Sequence, residues 1–197
     1  MRNHERDESI LLSLKRLDYL SRSQLQKLHQ LGGERNARRV MASLSEYLHS
    51  FRGDNGESIY YLTKAGRERV GADKVRAKLA DANHYLMRSD AYLFFKASDW
   101  KNEMKFTIPG TVQVIPDAYF LLNMRRYFLE IDNLQSLSKN KEKLEKYRKL
   151  KASNLLQERL RYFPTLIWVT LTETRKKHLE NWSEGLESKI YLWKEIK

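Results

Sequence analysis

The sequence predicts a mixed α+β protein of two modules, a small helix-rich module followed by an α/β module with a mixed sheet. Apolar residues repeat at helical spacing through residues 7–48, and an Asn-Gly pair then separates two strand-like segments within residues 51–62. After residue 100, strand-like segments enclose one basic helix. The expected domains are residues 1–72 and 101–197, joined by a connecting helix at residues 73–100.

Composition excludes several classes of protein. Charged residues make up 31% and hydrophobic residues 41% of the 197 residues, which is enough apolar material to fold. Cysteine is absent, so disulfides and thiolate metal sites are excluded, and the five histidines show no zinc-ligand spacing. The charged N-terminus lacks a signal peptide, and no apolar segment approaches the roughly 20 residues of a membrane-spanning helix. We therefore expect a cytoplasmic protein without membrane segments.

Positive charge is concentrated in two regions. The net charge is +12, and residues 1–72 contain 13 Lys/Arg against 9 Asp/Glu, while residues 137–162 contain 9 against 3. Cations placed near phosphates release condensed counterions, so double-stranded DNA is the expected partner. An alternative interpretation, that this charge only keeps the protein soluble, stays open.

The first helices are marked by local signals. Apolar residues at helical spacing predict a helix from Asp7 to about Arg16. Ser21 and Gln24 then have the spacing of a capping box, which predicts the start of a second helix. The pair Gly32-Gly33 ends that helix and allows a sharp turn into a third.

The third helix, from Glu34, has one apolar and one polar face. The apolar positions are Ala37, Val40, Met41, Leu44 and Leu48. The outward positions are Arg35, Asn36, Arg38, Arg39 and Ser43. Arg can contact guanine and Asn can contact adenine with paired hydrogen bonds, while neighbouring cations hold phosphates. We therefore expect this helix to enter the major groove, with a solvated charged face as the alternative.

A hairpin completes the N-terminal module. Asn55-Gly56 is a strong hairpin signal, and it closes the segment from Phe51 to Leu62. Thr63 is the expected N-cap of a short helix that runs to Val70. This order predicts a winged helix-turn-helix, in which Arg22 and Arg52 are further candidates for DNA contact.

Residues 73–100 are expected to connect the modules through one long helix or two in sequence. Val75, Leu79, Ala82 and Leu86 repeat at helical spacing from Lys74 to about Phe95. A helix of this kind can pair with its copy, so a homodimer is a hypothesis at this stage.

The C-terminal module is expected to contain four strands and a basic helix. The strand-like segments are Lys105–Ile108, Thr111–Ile115, Arg126–Ile131 and Thr165–Leu171. The helix between the last two, Lys139 to about Leu160, contributes further candidates for DNA contact. These are Lys139, Lys141 and Lys146.

Short motifs carry a resemblance to known families. Pro116-Asp117, Glu130-Ile131-Asp132 and Lys143 to Tyr147 together resemble a variant PD-(D/E)xK nuclease site. Three segments resemble the replication-relaxation family, and they are Asn83-His84-Tyr85-Leu86, Pro116-Asp117-Ala118-Tyr119-Phe120 and Glu130-Ile131-Asp132. That resemblance implies a winged helix joined to a nuclease-like domain, and a role in replication, transfer or transcriptional control of plasmids or integrative elements. The sequence has no H-x-H cluster with a nearby Tyr that would mark a relaxase site, so a separate relaxase or replication protein is the expected partner if the protein serves conjugation.

The carboxylates of these motifs suggest a metal site. On a strand Glu130 and Asp132 share one face, and Asp117 precedes them near the same place, with Glu103 a weaker candidate. Three converging carboxylates suit Mg²⁺ or Mn²⁺, which activates water and neutralises charge on a scissile phosphate. Catalytic candidates are therefore Asp117, Glu130, Asp132 and Lys143.

The same residues also suggest a degenerate site. The resemblance places the catalytic lysine of active nucleases where Asp132 stands, and Lys143 is the cation that would have to replace it. Two functions stay open on this evidence. One is a sequence-selective DNA-binding protein with a degenerate nuclease-like domain, and the other is a metal-dependent endonuclease or nickase.

Overall fold

The chain divides into two compact units in a computed structural model that describes residues 2–79 and 82–197. Unit 1 is Met1–Leu93 and unit 2 is Phe94–Lys197. Both combine helices with sheet, and the sheet of unit 2 is mixed, so the predicted mixed α+β class is confirmed. The domain boundaries proposed from the sequence, residues 1–72 and 101–197, stay a prediction.

Unit 1 contains five helices and three strands within the described residues. They are α1 Arg2–Leu17, β1 Leu20–Ser21, α2 Arg22–Leu28, α3 Glu34–Ser43, β2 Leu48–Arg52, β3 Ser58–Leu62, α4 Lys64–Val70 and α5 Asn83–Phe95. The first helix begins at Arg2, before the predicted start at Asp7. The prediction missed these opening turns because they are polar and carry no apolar repeat. The last two residues of α5 belong to unit 2.

Local capping fixes the start of α2. The Ser21 hydroxyl accepts a hydrogen bond from Gln24 N at 3.2 Å, and Gln24 Oε1 accepts one from Ser21 N at 3.0 Å. This is the predicted capping box, which satisfies two backbone donors that a helix start leaves open. Leu25 behind it is fully buried.

The hairpin forms as predicted, but α3 is shorter than expected. Strands β2 and β3 pair antiparallel, with Leu48 opposite Leu62, and Gly56 adopts a positive φ of 75° in the turn. Helix α3 ends at Ser43, so Leu44 caps it and Leu48 begins β2. Both side chains are buried nonetheless. Leu48, which was expected on the apolar face of the helix, is therefore buried as part of a strand.

The prediction of a long connecting helix was wrong for the first part of that segment. Residues 72–79 are not helical, residues 80 and 81 lie outside the described residues, and α5 begins only at Asn83. Val75 is 71% exposed, so the spacing that suggested a helix there did not mark a buried face. The homodimer proposed through this segment stays a prediction.

Polar side chains hold α5 against the other elements of unit 1. Arg88 is fully buried and donates to Asp18 Oδ2 at 2.6 Å. Gln24 Nε2 donates to Asp90 Oδ1 at 2.7 Å. Buried charges are retained where a partner compensates their lost hydration, and these two bonds join α5 to α2 and to the end of α1.

Unit 2 is built on a five-stranded mixed sheet. Its strands are β4 Ser98–Asn102, β7 Ala118–Leu122, β8 Arg125–Asp132, β9 Thr165–Thr170 and β10 Ser188–Leu192, in the order β10-β9-β8-β7-β4. Strands β8, β9 and β10 run parallel, whereas β7 is antiparallel to both β8 and β4. A separate two-stranded sheet joins β5 Phe106–Ile108 and β6 Val112–Val114.

Two predicted strands therefore lie outside the main sheet. The segments expected at Lys105–Ile108 and Thr111–Ile115 are strands, but they pair only with each other. Strands β4, β7 and β10 were not predicted. In the main sheet, β7 and β4 occupy the two positions that follow β8. The expected order of helix, three strands, helix and strand is therefore wrong in detail, because the five strands β4 to β8 precede the basic segment, and that segment forms two helices between β8 and β9.

The predicted basic helix is two helices. Helix α6 is Leu137–Ala152 and helix α7 is Leu155–Leu160, and Asn154 between them has a left-handed φ of 58°. The face of α6 that carries Leu144, Tyr147 and Leu150 is buried against Phe128 and Trp168 of the sheet. The remaining elements of unit 2 are α8 Glu173–Trp182 and α9 Trp193–Ile196.

In residues 2–79 and 82–197, no helix has both the length and the apolar character to cross a membrane.

Candidate functional site

Helix α3 presents arginine side chains to solvent. Its buried face, formed by Ala37, Val40 and Met41, leaves Arg35, Arg38 and Arg39 exposed. The N-terminus of the helix follows the Gly32-Gly33 turn, and Gly32 has a positive φ of 67° that an L side chain rarely adopts. Three guanidinium groups thus lie on one accessible helix surface.

Asn36 contributes to the turn before α3. Its Nδ2 donates to Leu31 O at 2.7 Å, and its Oδ1 accepts from Arg39 Nη2 at 2.7 Å. The sequence suggested that this amide contacts adenine, a contact that uses the same donor and acceptor. In this arrangement Asn36 closes the turn and orients Arg39.

A cleft of about 590 Å³ separates α3 from the hairpin. Its lining includes Arg22, Arg38 and Arg52 together with Glu34 and Glu57. The Arg22 side chain is only 15% exposed and pairs with both carboxylates, at 3.7 Å between Nη2 and Glu57 Oε1. Arg22, expected to be an open contact, is thus engaged with two glutamates.

The other N-terminal candidates are Arg52, which lines the cleft, and Ser43 at the end of α3. Arg52 is exposed on the hairpin, and its Nη1 donates to Gly56 O at 2.7 Å. Ser43 is exposed at the end of α3 and donates to Val40 O at 2.8 Å. Arg52 thus bonds within the hairpin and Ser43 bonds within the helix, and a ligand can replace either hydrogen bond.

Helix α6 divides its cations between solvent and the sheet. Lys139 and Lys141 are exposed, while Lys146 pairs with Glu142 Oε1 at 2.7 Å. Lys143 points the other way and donates to Glu130 Oε2. The basic helix thus supplies both exposed charge and a cation for the candidate nuclease-like site.

Glu130 lies at 0% exposure on β8, between two residues of α6. Lys143 Nζ donates to one carboxylate oxygen and Tyr147 OH donates to the other at 2.6 Å. Burial raises the pKa of Glu130 to about 8, against the opposing effect of the Lys143 charge. Burial alone would lower the pKa of Lys143, but Glu130 and Asp117 outweigh it and raise that pKa.

Asp132, two residues further along β8, is held by a different set of donors. Arg175 of α8 donates to both carboxylate oxygens, at 2.6 Å from Nε and 2.5 Å from Nη2. Asn140 Nδ2 donates at 2.8 Å and Thr170 Oγ1 at 2.7 Å. Burial alone would raise the pKa of Asp132, but these hydrogen bonds, Arg175 foremost, hold it below its ordinary value.

Asp117 lies at the same edge of the sheet, immediately before β7. Its Oδ2 accepts from Ile131 N at 2.7 Å, between Glu130 and Asp132. Its backbone oxygen accepts from the N of Glu103, an exposed residue, at 3.4 Å. The structure therefore brings Asp117, Glu130, Asp132 and Lys143 to one place, while their catalytic and metal-binding roles stay predictions.

The observed donor set does not fit a divalent cation. Both oxygens of Glu130 and both oxygens of Asp132 accept hydrogen bonds from side chains, and Arg175 already neutralises Asp132. Across the described ranges, 2–79 and 82–197, no three His, Asp or Glu side chains are grouped to hold a metal ion. Hard cations need free carboxylate oxygens. The Mg²⁺ or Mn²⁺ site thus stays a prediction without support from this geometry.

Comparison with known protein families gives one decisive match. The model of the replication-relaxation family matches residues 11–166, which is most of the chain. The protein belongs to the replication-relaxation family.

Other comparisons add little to this family assignment. No curated protein matches the chain. A solved structure described as the crystal structure of protein VC1899 from Vibrio cholerae is 12% identical with a TM-score of 0.35, a likeness too weak to carry an argument. The match covers 100% of this chain and 48% of that one, so this chain spans about half the length of the protein it matches.

Some site residues of this replication-relaxation protein were missed in the sequence. Asn140 and Tyr147 were missed, although they lie three residues before and four residues after the predicted Lys143, a helical spacing that signals one face of α6 directed at β8. Arg175 gave no such signal, because it is 43 residues from Asp132 and only the packing of α8 brings it there. Glu34 and Glu57, both in the cleft, also escaped notice since their spacing from Arg22 has no local pattern.

Proposed function

We propose that this protein binds double-stranded DNA sequence-selectively through α3, at a plasmid or integrative-element locus where it acts in replication, transfer or transcriptional control. The observation that carries the proposal is the exposed arginine surface of α3 beside the cleft and the hairpin. In this proposal α2 and α3 form a helix-turn-helix, and β2 with β3 forms the wing.

The chemistry of α3 suits base contact. Arg35 and Arg39 project from the solvent side of the helix, and a guanidinium can donate two parallel hydrogen bonds to guanine N7 and O6. Asn36 holds Arg39 through a 2.7 Å hydrogen bond, which limits the rotamers that binding must order. Arg52 on the wing is suited to a backbone phosphate.

In the same proposal, unit 2 has an accessory role rather than a cleaving one. Its acidic groups are paired within the fold, Glu130 with Lys143 and Asp132 with Arg175. Without such pairing, clustered ionised acids would repel DNA. The exposed Lys139 and Lys141 of α6, with Lys146, then provide a second surface for backbone phosphates.

Fluorescence anisotropy with labelled duplexes from the DNA that flanks the gene tests this function. Arg35→Gln and Arg39→Gln should each weaken binding about tenfold and reduce discrimination against random sequence. Arg69→Gln is the matched control, because Arg69 is an exposed arginine of α4 outside the cleft. If the wild type binds no duplex, or if all three variants bind alike, the proposal is wrong.

A metal-dependent endonuclease or nickase is the second candidate function. It is favoured by the common location of Asp117, Glu130, Asp132 and Lys143 at one sheet edge. It requires Lys143 and Arg175 to leave their carboxylates before a cation can enter. Supercoiled plasmid incubated with Mg²⁺ or Mn²⁺ decides between the two, because nicking that Glu130→Ala abolishes would establish the enzyme.

Assembly partners belong to the proposal as well. A DNA-binding protein of a mobile element with self-neutralised carboxylates would assist a separate relaxase or replication protein. A homodimer would place two α3 helices on two half-sites of the target. Light scattering of the protein with and without duplex measures the stoichiometry, and a monomer bound to a single site would refute the dimer.

A further inference from the structure

The cleft between α3 and the hairpin is lined by three arginines and two glutamates. Arg22 comes from α2, Arg38 from α3 and Arg52 from the hairpin, so three elements direct cations to one space. Its volume of about 590 Å³ far exceeds the ~30 Å³ share of one water, which leaves room for a hydrated phosphate group.

Glu34 occupies the position between two of these cations. One carboxylate oxygen, Oε1, pairs with Arg22 Nη1 and lies 3.3 Å from Arg38 Nη2. Arg22 is the more enclosed partner at 15% side-chain exposure, whereas Glu34 is 54% exposed. A side chain that is more than half exposed can swing into solvent at little cost in packing, since it fills no core space.

Glu57 has a different part in the same cleft. Its Oε1 accepts from Ser23 N at 2.6 Å, its Oε2 accepts from Ser23 Oγ at 3.1 Å, and its side chain is 14% exposed. These bonds tie the hairpin to the start of α2. Glu57 is therefore part of the fold, and Glu34 is the exchangeable anion.

We propose that this cleft is the binding site for one backbone phosphate of DNA, and that Glu34 is a built-in competitor for it. The inference rests on the proposed duplex binding. The phosphate oxygens take the place of the Glu34 carboxylate between Arg22 and Arg38, while Arg52 approaches from the hairpin. One negative charge replaces another, so the charge balance of the cleft is preserved. Glu34 thereby lowers affinity for any duplex, whatever its sequence.

The test compares two charge-matched variants on a labelled duplex of random sequence, measured by anisotropy. Glu34→Gln should tighten binding about five- to tenfold, because both arginines are released for phosphate. Glu68→Gln removes the same charge from α4, at a residue that is 67% exposed and does not line the cleft, and should change affinity less than about twofold. Thermal melts confirm that both variants fold.

A double-mutant cycle makes the site assignment specific. In an Arg38→Gln background, the gain from Glu34→Gln should be smaller than in the wild-type background, because Arg22 is then the one arginine of the pair that the substitution releases. Equal effects of Glu34→Gln and Glu68→Gln would overturn the phosphate site while leaving duplex binding intact. A wild type that binds no duplex would overturn the proposed function and this inference with it.

Discussion

Arg175 should be the residue of unit 2 on which stability depends most strongly through charge. Arg175→Met removes both hydrogen bonds to Asp132, at 2.6 and 2.5 Å, and leaves a carboxylate of 0% exposure with only Asn140 and Thr170 as described donors. Removing one partner of a buried ion pair costs about 3–5 kcal/mol. Arg175 is 17% exposed, so water reaches the vacated position and the lower figure, about 3 kcal/mol, is expected.

Urea unfolding measures this loss, and two variants control it. Lys177→Met removes one exposed cation from the same helix and should change the free energy of unfolding by less than about 0.5 kcal/mol. Asp132→Asn combined with Arg175→Met should recover at least half of the loss, because no buried charge then remains. A single Arg175→Met variant as stable as Lys177→Met would refute the reasoning.

The pH dependence of the Arg175 effect has a definite sign. The pKa of Asp132 is lowered in the folded state, so this pair stabilises the protein above the ordinary carboxyl pKa. That contribution is lost as the pH falls through the lowered pKa, where Asp132 takes up a proton. The difference between wild type and Arg175→Met should therefore shrink in strongly acidic solution.

Three further outcomes are expected. The folded pKa of Glu130 is about 8, so wild-type stability should fall as the pH rises from about 4.5 to 8, and Glu130→Gln should flatten that slope in urea titrations at several pH values. Gly66→Ala would place a Cβ 2.3 Å from Tyr47 O and should cost about 1–3 kcal/mol, whereas at Gly33 the added methyl meets nothing within 4 Å and Gly33→Ala should melt near wild type. Millimolar Mg²⁺ should leave the Tm unchanged, and a clear rise would contradict the neutralised-carboxylate geometry.

The N-terminal elements were predictable because their signals are local. Ser21 with Gln24, Asn55 with Gly56 and the N-cap Thr63 each act through residues within three positions of one another. The connecting helix was overpredicted for a related reason. Val75 repeats at helical spacing, but it is 71% exposed, and spacing alone carries no information about what a face packs against.

The main sheet was only partly predictable because two of its strands lack alternation. Strand β7, Ala118–Leu122, is apolar throughout and carries no period of two, while β4, Ser98–Asn102, is polar and has an irregular register against β7. The clearer alternation at β5 and β6 belongs to a small separate sheet.

The candidate site in unit 2 was predictable along a strand but not across the fold. Glu130 and Asp132 share a face since strand side chains alternate, and Lys143 follows within one connection. What neutralises Asp132 depends on where α8 packs, which no local pattern specifies. The sequence therefore suggested a metal site at a place where the fold supplies Arg175.

The bond from Asn36 Nδ2 to Leu31 O limits how a protein of this architecture can acquire a new target. If α3 reads bases, replacing Asn36 would loosen the entry to the helix along with any change in preference. Diversification would fall instead on Arg35 and its exposed neighbours, whose side chains can be exchanged without disturbing the backbone. Retargeted descendants would then differ at the surface of α3 while keeping a side chain at position 36 that closes the turn.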